Sequence, residues 1–226
     1  MGMDPYSPEA IPARTSTCGH DGPRHRQSFA SLFDINRQTI ALLMDVAATP
    51  LNNRTWSGWR KLGNELVQLE TSQRESLARC PFSLIDAGLG DAPDRSIANR
   101  APDEPAQGEL MFSPMLPQTR LDHLAHAAIL FAWHLVRSDA IAARLVFAMN
   151  SASISFMTHA TLTDIRRIAQ AQVRTDRVRP RWHNRPDVWF RLIHTARSPQ
   201  HDDFSTVTTR GLQLFLQELV ADERGR

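Results

Sequence analysis

Thr163, Arg166, Arg167 and Gln170 recur at i, i+3, i+4 and i+7, the spacing that puts four polar side chains on one face of a helix. Arginine can bond guanine edges or phosphates and glutamine can bond adenine, so such a face suits the major groove of DNA. Soon after it comes "RVRPRWHNRPDVWFRLIHTAR", residues 177–197, with six arginines, two histidines and two tryptophans against one acid, Asp187. Guanidinium binds phosphate while flat rings stack or pack. Arg177, Arg179, Arg181 and Arg185 are therefore expected as phosphate contacts flanking the helix. Trp182 and Trp189 are expected to pack on a helical bundle rather than to stack on bases. A second reading stays open for both groups: the solvated side of an amphipathic helix, followed by a solvated basic loop.

Charge distribution points the same way. Residues 161–197 carry nine arginines against three aspartates, a local charge of +6, which leaves the remainder at −4 within a chain of net +2. A basic region beside an acidic remainder suggests a polyanionic partner. The arginine count itself says less, because Lys61 is the sole lysine and the bias toward arginine runs through the whole sequence.

Other chemistries find little support. His123, His126 and His134 fall on roughly one side of a helix, but three ligands from one straight helix converge poorly, and no metal or other cofactor is expected. "GLGDAP" has glycines without the strand, turn and Lys-Ser/Thr of a phosphate loop. No nucleophile-elbow motif occurs, and Cys80 before Pro81 reads as core. We expect a protein that is not an enzyme. Two distant cysteines, Cys18 and Cys80, imply no disulfide framework and fit a reducing compartment. No signal-peptide pattern opens the sequence, and "AHAAILFAWHLV" is too short to span a bilayer. A cytoplasmic protein with no membrane association is the expectation.

The elements that must position these residues are helical. Residues 1–28 are rich in Pro, Gly, Ser, Thr and charge and are expected to form a disordered tail. Residues 29–86 form an N-terminal helical segment, with periodicity beginning near Arg37, a second helix in "WRKLGNELVQLE" and a third opened by a capping box of Ser72 and Glu75. "FSLIDAG" fits either a short strand or an extended connection. Residues 87–118, with five prolines, are expected as a linker. Residues 119–226 are then a C-terminal helical domain with Thr119 as its opening cap. Its first helix carries Leu124, Ala128, Phe131 and Leu135 on one apolar face, a candidate dimer interface. Asn184 and Pro186 read as cap and first turn of "DVWFRLIHTAR", and a last helix spans 205–223.

Between these lies "AIAARLVFAM-N-SASISFMTHA-TL-TDIRRIAQAQ", three short helices with tight connections and the proportions of a helix-turn-helix unit. Asp139 lies inside the preceding helical run, Met149-Asn150 closes the first short helix, Thr161-Leu162 makes the turn, and Ile165, Ile168 and Ala169 face inward. In this pattern residues 135–169 resemble the FlhD family of flagellar transcriptional regulators, and the helix from Thr119 fits that family's opening helix. The resemblance covers about residues 119–170; it leaves 1–118 and the final helix outside and does not extend to the polar side chains of the outer face. It implies an all-α fold that dimerises through its long helices, and a co-activator assembled with a second, zinc-bearing regulatory subunit.

The reading is an all-α helical bundle with a helix-turn-helix-like C-terminal unit. Its expected function is that of a DNA-binding transcriptional regulator or co-activator, with DNA, a second copy and a second regulator subunit as partners. The alternative is a dimeric protein-interaction adaptor of the same fold without DNA contacts.

Overall fold

The computed structural model describes residues 22–48, 57–90 and 118–197, together with Thr209. Residues 1–21 of the expected tail, 91–117 of the expected linker, and the last helix apart from Thr209 lie outside the described residues. Within them the chain is all-α, with eight helices and one two-stranded sheet. No helix among them is long and apolar enough to cross a membrane.

Helix α1 runs Gly22–Ala48. It buries Leu32, Ile35, Ile40, Leu43 and Val46, a stripe at helical spacing. It therefore begins within the stretch expected to be disordered; Pro23 sits in the first turn, where its missing N–H breaks no helical bond. Helix α2, Ser57–Val67, lays Trp59, Leu62 and Leu66 on α1. A Cβ at Gly63 would lie 2.5 Å from the Leu43 carbonyl oxygen, so glycine is what allows this close approach.

Helix α3, Thr71–Ala78, is capped by Glu70 and Gln73 rather than by Ser72 and Glu75. Glu75 is engaged elsewhere: its carboxylate accepts from Arg37 Nε at 2.7 and 2.9 Å. The segment after α3 is held by buried Asn36 of α1. Its amide donates to the carbonyls of Ala78, Cys80 and Phe82, and its Oδ1 accepts from the Leu84 N–H at 2.8 Å. Strand β1, Ile85–Asp86, then pairs antiparallel with β2, Arg179–Pro180, in the register Ile85 to Pro180.

Helix α4, Gln118–Ser138, is the central element and packs on α1. On its other sides lie α5 (Ala140–Phe147), α6 (Ser151–His159) and α7 (Leu162–Arg174). The Asp45–Arg120 ion pair, and a groove shared by residues 30–35 and 127–134, show that α1 and α4 run antiparallel. Helix α8, Pro186–Ala196, closes over α2 and α3. Its N-cap is Arg185, which makes no side-chain cap bond, so the expected cap at Asn184 is displaced by one residue while Pro186 opens the helix as expected.

One apolar core runs through all of this. It joins Leu43 and Leu66 with Leu84, Ile129, Ile168 and Trp189, so residues 29–86 share a core with the expected C-terminal domain. Residues 87–90 of the expected linker are ordered into it as well, with Ala87 and Leu89 buried. The expected dimer face is corrected here. Leu124, Ala128 and Leu135 are covered by the chain's own helices, because α4 is enclosed by α1 and α7 on its apolar sides. Of the four residues, only Phe131 reaches the surface in part, at a groove.

Candidate nucleic-acid interface

Helix α7 starts at a reciprocal cap. Thr161 Oγ1 accepts from the Asp164 N–H, while the Asp164 carboxylate accepts from the Thr161 N–H at 2.9 Å and from its hydroxyl at 2.7 Å. Those two bonds to the charged form hold the Asp164 carboxyl below its usual range, the hydroxyl contributing most. The acid also lies at the positive end of the helix dipole. One side of the helix is anchored: Ile165, Ile168, Ala169, Gln172 and Val173 are buried against the core. Its start is tied to α4 by Trp133, whose indole donates to the Ala160 carbonyl at 3.0 Å.

The opposite face is open. Thr163, Arg166, Arg167 and Gln170 are all exposed, as their spacing predicts, and neither arginine forms an ion pair among the described residues. Exposed Arg174 extends the same stripe one turn beyond Gln170. The periodicity already contained it at i+4, although it falls outside the four residues that define the face.

The basic flank is less uniform than its composition implies. Arg181 is corrected from phosphate contact to core residue: it is 5% exposed, and its Nη1 donates to the carbonyls of Ser83 and Val146, each at 3.1 Å. Its backbone N–H bonds the Leu84 carbonyl, which carries the strand pairing one residue further and turns the side chain inward. Arg179 is half-buried with Nε 3.8 Å from the Asp86 carboxylate. Arg177 is half-buried, and Arg185 is exposed, 3.6 Å from Asp187. Of the four flank arginines, Arg185 is thus exposed though paired with Asp187, and Arg177 and Arg179 are exposed in part. Both tryptophans are interior, with Trp189 fully covered and its indole bonded to the Arg181 carbonyl, and Trp182 edge-on to Phe82.

Beside this loop lies a pocket of about 240 Å³, whose lining includes Asp86, Phe147, Ala148, Arg181, Trp182 and His183. Ala148 and Trp182 both adopt positive φ there, at 56° and 54°. Burial first, and the Arg179 charge second, push His183 below its usual value, while Asp86 and Asp176 oppose the shift. Cys80, fully buried, is pushed up to about 12, which leaves it a protonated core thiol at neutral pH. Among the described residues, no group of three or more His, Cys, Asp or Glu side chains is arranged to hold a metal ion.

Some large apolar side chains are exposed as well. Ile141 is 73% exposed, and Leu145, one turn along α5, and Leu162 at the start of α7 are exposed too. Nothing in their spacing separates them from core positions; only the fold shows that they face outward. No family model, curated protein or solved structure matches the chain.

Proposed function

We propose that the chain is a DNA-binding transcriptional regulator or co-activator that presents α7 to the major groove. The observation carrying this reading is the α7 stripe. Thr163, Arg166, Arg167 and Gln170 stand outward on a capped helix whose other side is locked into the core; neither arginine forms an ion pair among the described residues, although the Arg167 charge is felt by Asp164 one turn earlier. Arg185, and to a lesser extent Arg177 and Arg179, add phosphate attraction from the following loop. The resemblance of residues 119–170 to FlhD-type regulators supports the same reading and adds a second regulatory subunit as partner.

The exposed Ile141, Leu145 and Leu162 favour a second reading, that of an adaptor whose helical unit receives another protein. Gel-shift titrations at low and moderate salt, on genomic fragments and on random duplex, distinguish the two. A regulator binds duplex with an affinity that falls steeply with salt. If the chain binds neither DNA at low salt, alone or with a candidate subunit, the DNA reading fails and the adaptor reading stands.

A further inference from the structure

The pocket of about 240 Å³ beside the loop between α7 and α8 is built from three segments distant in sequence. Strand β1 supplies Asp86, the end of α5 supplies Phe147 and Ala148, and the loop supplies Trp182, His183 and Asn184. Its walls are held in place. The Asp86 carboxylate accepts from the Gly88 N–H at 2.8 Å and lies 3.8 Å from Arg179 Nε. Arg181, also in the lining, is fixed by the Ser83 and Val146 carbonyls. Trp182 stands edge-on to Phe82, and Phe147 edge-on to Phe131. Ala148 and Trp182 occupy left-handed backbone that side chains disfavour. Such positions persist only where the surroundings impose them, and they cluster at ligand sites.

The lining also carries hydrogen-bonding capacity that the fold does not use. Half-buried His183 and exposed Asn184 make no side-chain hydrogen bond among the described residues. Burial, and then the Arg179 charge, hold His183 below its usual value, so at neutral pH its ring offers one donor and one acceptor nitrogen. The Asn184 amide offers both kinds as well, and Asp86 adds acceptors. Asp86 and Arg181 place one charge of each sign on the lining, so a net charge on a ligand gains from one and loses to the other. The volume lies below the roughly 300–1,000 Å³ of pockets for drug-sized ligands, which leaves room for a one- or two-ring molecule. Aromatic walls favour a flat one.

We propose that this pocket binds the base of a nucleoside, a flat uncharged ring with donors and acceptors side by side on its edge. Asp86 accepts from a ring N–H or amino group, while Asn184 and His183 bond the remaining edge. Trp182 and Phe147 cover the ring, and the sugar stays at the mouth. None of these residues lies on the outer face of α7, so the proposal stands or falls separately from DNA binding.

Ligand-observed NMR on the full chain, titrated with guanosine, adenosine, cytidine and uridine in turn, tests it. At least one nucleoside is expected to bind saturably with a dissociation constant of about 1 mM or tighter. Saturation transfer should be stronger to its base protons than to its ribose. Asn184→Ala and, separately, Asp86→Asn should weaken that binding about ten-fold. Asn184 is exposed, so its variant keeps the test valid if Asp86→Asn fails to fold. Indole matches the ring without the edge, and benzoate matches it with a net charge; both are expected to bind at least about ten-fold more weakly. The proposal is overturned if no nucleoside binds, if indole or benzoate binds as tightly as the best nucleoside, or if binding survives both substitutions.

Discussion

Asn36 does with one amide what a strand partner does with a ladder: it satisfies three carbonyls and one N–H of the chain from Ala78 to Leu84. Replacing it with leucine keeps the number of side-chain heavy atoms, adds some bulk, and leaves those buried groups without partners, at roughly 1–3 kcal/mol for each group left unsatisfied. Asn36→Leu should therefore lower unfolding free energy by about 3 kcal/mol or more in urea titration. A loss under about 1 kcal/mol would mean that water or rearrangement replaces the amide. Arg181 shows why residue type alone misleads: it stands in a run of exposed-looking arginines, yet its guanidinium bridges Ser83 and Val146 inside the core. Nothing in the composition of 177–197 marks one arginine as inward, because inwardness is set by strand pairing with a segment nearly a hundred residues away. His183 yields a prediction with a definite sign. Its proton affinity is lower folded than unfolded, so its contribution to stability is intact above the ordinary value of 6.5 and declines as pH falls through it toward the depressed folded value. The urea midpoint should drop between about pH 7 and pH 5, and His183→Asn should flatten that drop. Identical slopes for the two proteins would contradict the burial described for this ring.

Among the elements, α7 was the most legible. Its inner residues Ile165, Ile168 and Ala169 and its outer residues Thr163, Arg166, Arg167 and Gln170 sort by period alone, and burial follows that sorting. Its stability should rest partly on Thr161, whose hydroxyl both accepts from and donates to Asp164. Thr161→Ala is expected to cost about 1 kcal/mol and to return the Asp164 carboxyl toward its usual range. NMR titration of that carboxyl together with urea unfolding checks both; no change in either would remove the cap from the account. Element boundaries were harder to see. Gly22 and Pro23 look like breakers but sit in the first turn of α1, where they break nothing. Ser72 and Glu75 have capping-box spacing, yet Arg37, distant in sequence, recruits Glu75. The face of α4 containing Leu124, Ala128 and Leu135 was visible as apolar, but periodicity cannot say whether another helix of the same chain or a second copy covers it.

At the scale of the whole molecule, a shared core unites the two segments that a proline-rich stretch separates in the sequence. β1 pairs with β2, Ser83 N–H bonds the Val146 carbonyl, and Trp189 lies in the same cluster as Leu43. Unfolding should accordingly be a single transition, coincident by circular dichroism and tryptophan fluorescence. A fragment of residues 118–226, deprived of the Ser83 carbonyl that accepts from Arg181 and of the α1 and α2 side chains in the shared core, should not fold alone. Two transitions, or an independently stable fragment, would restore a two-domain molecule. On this single body the central claim concerns the outward face of α7, and the salt dependence of DNA binding addresses it most directly. Fluorescence anisotropy at several salt concentrations gives the slope of log K against log salt for wild type and for Arg166→Ala with Arg167→Ala. Each phosphate contact removed should reduce the slope by about 0.9, and each base-edge contact removed should cost roughly 1–3 kcal/mol of preference at one operator position. The account predicts that the double variant, folded and equally stable, loses affinity with one of these two signatures. Wild-type affinity and slope in the double variant would contradict it.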